Sequence, residues 1–300
     1  MNGLKIANYL RALRLAFVLV SISPFIFGSF LNSADFSSRN FFFGLICVIF
    51  THLGANLIND YSDSKSKADW QDRNFYGFFG GSKLIQEGIF TEKFYLKTGI
   101  FCFSVATLSV LILAVFFNNL TIIALYFLVL FLGFSYSHGP LRFSYRKLGE
   151  LIIFILFGPA LVMGGYFLQT QVFPTLKSFL LSLPFGFFTV AVLFANEIPD
   201  YSDDLKVGKL TMVSLVGAEK SFILYYFIVS FGFLSILLNI MLGYLNAFAF
   251  LSLVSVIFAI RVALILKKYY HDKKRLVISS KMNIAIHIVI SIFLILSIIV

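Results

Sequence analysis

Charge is scarce in this chain. Only 13% of its 300 residues are Asp, Glu, Lys or Arg, about half the roughly 25% that covers a water-soluble domain. That deficit excludes an ordinary soluble globule. With 59% hydrophobic residues a disordered chain is excluded too, since disorder needs low hydrophobicity and high charge. Cysteine is nearly absent: Cys47 and Cys102 lie inside apolar segments with no CxxC or metal spacing. Neither a disulfide framework nor a thiolate metal site is expected. Acidic residues number 14 against 24 Lys and Arg, a net charge of +10. Nucleic acid is not the expected partner, because the distribution of these charges has a different explanation.

What is present is hydrophobic sequence in blocks of about twenty residues, the length that crosses a bilayer as a helix. Nine spans are expected, near 12–31, 40–61, 95–117, 119–137, 148–168, 177–198, 221–242, 244–266 and 282–300. The expected fold is thus all-α, a polytopic membrane bundle in one domain over 1–300. No cleavable signal peptide is expected, since the first apolar block is long and no small-residue cleavage site follows it. The N-terminus and the connections after the even-numbered spans carry 21 of the 24 Lys and Arg; Arg39, Lys177 and Arg261 are the exceptions. By the positive-inside rule that side is cytoplasmic, which places the C-terminus on the opposite face. Of the 14 acids, 13 share that side, all but Asp35. Acids do little to set topology, so their segregation marks a working face.

An internal repeat carries the acids. ANLINDYSD (55–63) and ANEIPDYSD (195–203) agree at seven of nine positions, offset by 140 residues. Two related helix-plus-loop units facing each other in a pseudo-symmetric bundle are expected. Asn56, Asp60 and Asp63 are spaced i, i+4, i+7 and share one helical face. Asn196, Asp200 and Asp203 repeat the spacing, with Asp204 next. Carboxylates converging at a membrane boundary repel one another unless a cation lies between them. Oxygen-only ligands suit a hard divalent ion, and Mg²⁺ is held by a few carboxylates together with substrate phosphates. Arg73, Lys83, Arg142, Arg146, Lys147, Lys206 and Lys209 lie in the same connections, as a diphosphate clamp requires. Lys83 follows GFFGGSK (77–83), whose glycines allow backbone N–H groups to approach an anion.

These motifs resemble the UbiA superfamily of intramembrane aromatic prenyltransferases, and the resemblance extends over essentially the whole chain. Within it NDYSDSKSKAD (59–69), GGSKLIQEGIFT (80–91), YSHGPLRFSYRKLGELIIFILFGPALVMGGYFLQT (136–170) and NEIPDYSDDLKVGKLT (196–211) are most similar to the 1,4-dihydroxy-2-naphthoate prenyltransferase branch of menaquinone synthesis. The aromatic loop WQDRNFYGFF (70–79) and the entry helix RALRLAFVLV (11–20), which lacks an Arg-Pro pair, depart from the pattern. The resemblance implies a helical bundle under cytoplasmic cap loops, and a prokaryotic plasma membrane. It implies that Asn56, Asp60 and Asp63 hold one Mg²⁺ and Asn196, Asp200 and Asp204 another. Lys83, Arg142 and Arg14, with Arg73 and Lys209, would neutralise the diphosphate of a polyprenyl donor. Tyr136 would face the ionising allylic carbon, and the acceptor 1,4-dihydroxy-2-naphthoate would attack it. His138 in SHGP would contact substrate, and His52, one turn before Asn56, would line the pocket. Phe residues around Phe131 and Phe134 would line a tunnel for the isoprenoid tail. The alternatives are another acceptor, such as 4-hydroxybenzoate, homogentisate or a glycerol-phosphate lipid, and a secondary transporter, which also shows repeats and intramembrane polar residues.

Overall fold

The computed structural model describes residues 2–300 and is helical throughout; among the described residues the one extended pairing is an isolated bridge between Arg146 and Leu210. The helices are α1 (Asn2–Ala12), α2 (Val18–Phe30), α3 (Ser38–Lys65), α4 (Glu92–Phe117), α5 (Thr121–Ser137), α6 (Gly149–Phe157), α7 (Pro159–Thr170), α8 (Leu176–Lys206), α9 (Val213–Val216), α10 (Ser221–Met241), α11 (Ser255–Tyr269) and α12 (Lys273–Ile299). Side-chain caps set several starts. Ser37 accepts from the Asn40 N–H, Thr91 from Phe94, Thr175 from Ser178 and Asp272 from Arg275, each satisfying an otherwise orphaned amide.

Each expected span coincides with helix, but fewer helical segments are long and apolar enough to cross a membrane. Seven are: α3, α4, Gly149–Thr170, α8, Ala218–Met241, Ala247–Tyr269 and α12. An eighth counts only if the segments Ile6–Ala12 and Leu15–Phe30, bent 50° apart, form one span. The bend falls at Arg14, which adopts left-handed backbone (φ 51°). α5 has 17 residues, a rise of about 25 Å against a hydrocarbon core of about 30 Å.

Burial is arranged as a bilayer demands. Phe101, Leu108, Val115, Phe227, Leu234, Ile257 and Ile292 are exposed around the outside, where lipid rather than water is the solvent. Ser279, Ser280, Asn283, His287 and Ser291 of α12 are buried and bonded inside the bundle. The Ser280 hydroxyl donates to Asn196 Oδ1 (2.6 Å), and the Tyr225 hydroxyl to Asn283 Oδ1 (2.6 Å). Cys47 and Cys102 are both free.

Small residues bring helices into backbone contact, as membrane bundles favour. A Cβ on Gly28 of α2 would stand 2.1 Å from the Val162 carbonyl oxygen of α7. Gly158, at the break between α6 and α7, packs so tightly on Gly186 that a Cβ would lie 2.9 Å from its Cα. At the polar end, the connections 66–91, 138–148 and 207–220 are tied together over the helix ends. The Lys147 N–H donates to the Leu210 carbonyl (2.7 Å), and Leu210 returns a bond to Tyr145 (3.3 Å).

Candidate active site

The last turns of α3 and α8 carry the repeated motifs, and both end at the polar mouth of one cavity of about 380 Å³. Asn56, Asn59 and Asp63 line it from α3; Asn196, Glu197, Asp200, Asp203 and Asp204 line it from α8. Arg14, Asp69, Asp72, Lys83, Lys209 and Lys273 complete the polar section. Farther in, the lining turns apolar: Phe25, Val48, Leu113, Val129, Phe157 and Phe167. A charged head and a hydrocarbon chamber therefore share one continuous wall.

One lysine joins the motifs. Lys209 Nζ lies 3.4 Å from Asp204 Oδ2 and 3.8 Å from Asp63 Oδ2. Burial works against its charge, but Asp204 and Asp63 outweigh that and raise its pKa well above the ordinary lysine value. Asp63 also accepts from the Tyr145 hydroxyl (2.9 Å). The Asn59 amide bridges Asp63 Oδ2 (3.3 Å) and Ser137 Oγ (2.6 Å).

The glycine loop closes the mouth with its backbone. Gly80 N–H donates to Asp200 Oδ2 (2.8 Å) and Ser82 N–H to Asp60 Oδ2 (3.1 Å). The amides expected to approach an anion thus hold one carboxylate from each motif. Gly81 (φ 74°) is compelled to be glycine, because a Cβ would lie 2.4 Å from Asp69 Oδ2. Lys83, 2% exposed, donates to the Asp69 carbonyl (2.8 Å) and Oδ1 (3.3 Å). Burial pushes the Asp69 carboxyl up to about 8, against the pull of Lys83.

The predicted residues separate into those at the cavity and those away from it. Asn56, Asp63, Asn196, Asp200, Asp204, Lys83, Lys209, Arg14, Tyr136 and His52 line it. Asp60 stands behind the wall, held between Ser82 and Arg14, whose Nη1 lies 3.4 Å from Asp60 Oδ1. Arg142 is not at the cavity: its guanidinium lies over the Tyr145 ring at 3.8 Å. Arg73 is exposed and rests over Trp70. His138 packs between Tyr61 and Phe134, 3.2 Å from Ser62 Oγ. The tail expectation is corrected for Phe131 and Phe134, which are 54% and 40% exposed on the outer surface; α5 presents that face outward, and Phe25, Phe157 and Phe167 take the inner positions.

Two groups had no local signal. Lys273 bridges Asp72 Oδ2 (2.9 Å) and Asp203 Oδ2 (2.7 Å), joining the aromatic loop to the second motif. Burial would raise the Asp72 carboxyl, but the Asn74 N–H and Lys273 outweigh it and bring it to about 2. Glu150, buried beside Glu197, accepts from the Met212 N–H (2.6 Å). Among the described residues no three His, Cys, Asp or Glu side chains form a ready metal cage; protein cations and amides hold the carboxylates instead. The donor set still fits a hard divalent cation, since it is oxygen only and one ammonium reaches both motifs.

The family model for the UbiA prenyltransferase family matches residues 21–286. The chain is 28% identical over 232 residues to a UbiA prenyltransferase domain-containing protein 1 homolog of Drosophila melanogaster, covering 74% of this chain and 61% of that protein. The chain thus spans less than two thirds of that relative's length. Two solved structures share the fold. One is the apo structure of a UbiA homolog from Aeropyrum pernix K1 (TM-score 0.73, 16% identity, 93% of this chain and 97% of that one). The other is a UbiA homolog from Archaeoglobus fulgidus bound to GPP and Mg²⁺ (TM-score 0.58, 14% identity, 96% and 99%).

Proposed function

The chain belongs to the UbiA prenyltransferase family, and on that premise we propose that it moves a polyprenyl group from its diphosphate to an aromatic acceptor at a membrane surface. The observation that carries this reading is a continuous cavity with carboxylates and lysines at its mouth and hydrocarbon walls beyond. A prenyl diphosphate has that same division. The Archaeoglobus fulgidus neighbour, bound to GPP and Mg²⁺, supports the same donor class.

Asp63, Asp200 and Asp204, with Asn56, Asn196 and Asp60 beside them, would hold Mg²⁺. When bound, Mg²⁺ supplies positive charge against the diphosphate and eases its departure. Lys83, Lys209 and Arg14 add fixed positive charge there. The C–O bond to the diphosphate breaks, its electron pair leaving with the diphosphate. Tyr136 turns an aromatic face toward the allylic cation. The electron-rich ring of the acceptor forms the new C–C bond and loses a ring substituent as a proton or as carbon dioxide. The apolar walls keep water from the cation.

The acceptor we favour is 1,4-dihydroxy-2-naphthoate, for menaquinone synthesis. The reading rests on the spacing of NDYSDSKSKAD (59–69) and on GGSK (80–83). The same proposal includes nine crossings, two pseudo-symmetric units, and a cytoplasmic active face in a prokaryotic plasma membrane. The Drosophila relative is eukaryotic, so the source rests on the quinone reading alone. The test is nanodisc protein with Mg²⁺, a long-chain prenyl diphosphate and 1,4-dihydroxy-2-naphthoate, followed by mass spectrometry. Prenylated, decarboxylated product that disappears in Asp60→Ala and Asp200→Ala is the expected result. Diphosphate release without that product removes the naphthoate assignment.

A further inference from the structure

Most polar groups around the cavity have their partners within the protein; among its lining residues, Glu197 Oε2 and His52 Nε2 are buried without one. His52 lies one turn before Asn56 on α3, about 6 Å farther along the helix axis toward the apolar chamber. The side chain is 8% exposed and lines the cavity, with Phe157 edge-on at 5.8 Å. Nδ1 lies 2.6 Å from Ser21 Oγ. The second nitrogen, Nε2, is buried and has no hydrogen-bond partner.

The pairing with Ser21 fixes where the proton sits. The 2.6 Å separation fits either direction, but only with the Ser21 O–H donating and Nδ1 accepting is the hydroxyl proton paired. A neutral imidazole then carries its hydrogen on Nε2. That N–H has no acceptor within the protein, a deficit of about 1–3 kcal/mol while nothing else fills it. A buried donor left open beside a ligand cavity is satisfied when the ligand brings an oxygen. The prenyl donor carries its oxygens in the diphosphate, which belongs with Lys83, Lys209 and Arg14 at the mouth, and its tail is hydrocarbon. One helical turn deeper, the second substrate is the better source of an oxygen.

Resting on the prenyl-transfer reading, we propose that His52 binds the acceptor, donating from Nε2–H to an oxygen carried on the aromatic ring, with Ser21 fixing the tautomer. The acceptor class is therefore a flat ring bearing a hydroxyl, carbonyl or carboxylate. His52 moves no proton and makes no covalent bond. It orients the ring carbon toward the allylic carbon near Tyr136.

The test is steady-state kinetics in nanodiscs on wild type, His52→Phe, His52→Gln and Ser21→Ala, with Mg²⁺, a prenyl diphosphate and 1,4-dihydroxy-2-naphthoate or its two mono-deoxy analogues. His52→Phe keeps a ring and removes the donor. Its acceptor KM should rise about tenfold, equivalent to about 1.4 kcal/mol, while the prenyl diphosphate KM stays within about twofold. His52→Gln, which retains an N–H in similar reach, should recover most of the loss, and Ser21→Ala should fall between. One deoxy analogue should bind wild type as weakly as the full acceptor binds His52→Phe, with no further loss in that variant. An unchanged acceptor KM in His52→Phe, equal shifts in both KM values, or no recovery in His52→Gln would overturn the proposal. Wild-type protein that prenylates no aromatic acceptor would overturn the functional reading beneath it, a result separable from failure of His52 alone.

Discussion

The backbone amide of Gly80 donates to the Asp200 carboxylate across 2.8 Å, although 120 positions separate the two residues. A loop following α3 is thereby fixed to the motif on α8, and Ser82 fixes it to Asp60 on α3. The mouth of the cavity depends on that loop keeping its shape.

Gly81→Ala should disrupt it. The new methyl meets Asp69 at 2.4 Å on backbone with φ 74°, and left-handed backbone alone costs a non-glycine residue about 1–2 kcal/mol. Prenyl transfer should fall by more than about tenfold while the helical circular dichroism is retained. Gly77→Ala, where nothing lies within 4 Å, is the comparison and should lose less.

Lys209→Met removes the ammonium shared by Asp63 and Asp204. Turnover should drop about a hundredfold, the scale of losing one group that stabilises departing charge. Half-saturating Mg²⁺ should fall as well, the ion binding more tightly because two carboxylates lose a competing cation. A Mg²⁺ titration of initial rates reads both effects.

Asp72 provides a pH prediction. Its carboxyl is held near 2 in the fold, below the roughly 3.9 of an unfolded aspartate. A depressed acid contributes stability that is complete above the unfolded value and is lost as pH falls through the folded one. Loop protection against limited proteolysis, as far as Asp72 sets it, should be flat from about pH 5 to 8. It should decline only below about pH 4. Asp72→Asn should raise cleavage in 66–83 equally at both ends of that flat range.

Gly164 lines the cavity, and a Cβ added there would meet nothing within 4 Å. Gly164→Leu should fold normally and accept only shorter prenyl diphosphates, measured by competition between farnesyl and longer donors. Gly28→Ala should do the reverse. Its methyl would meet the Val162 backbone at 2.1 Å, costing about 1–3 kcal/mol and lowering the thermal midpoint in detergent.

The apolar blocks made the helical spans legible, because twenty-residue runs have few other uses. The duplicated Asn and Asp spacing made the two walls of the mouth legible in the same way. Lys273 was not, since its partner Asp72 is 201 residues away and a lysine in a basic loop resembles any topology-setting charge. Arg142 and Arg73 lie away from the cavity, which nothing in their sequence context distinguishes from a place within it. Basic residues that set topology and basic residues that bind a substrate have identical composition, and only packing over Tyr145 and Trp70 shows where these two stand. Phe131 and Phe134 could not be told from Phe157 and Phe167 by composition, as lipid and an apolar chamber select the same side chain.

Some helices serve only one section of the cavity wall. The motif carboxylates belong to the ends of α3 and α8, which also give the chamber Val48, Val192 and Leu193, whereas Leu113, Val129 and Phe167 come from α4, α5 and α7. Mutational drift in those three helices can therefore reshape the chamber without altering the carboxylates at the mouth, leaving the two sections of the cavity as separately inherited traits.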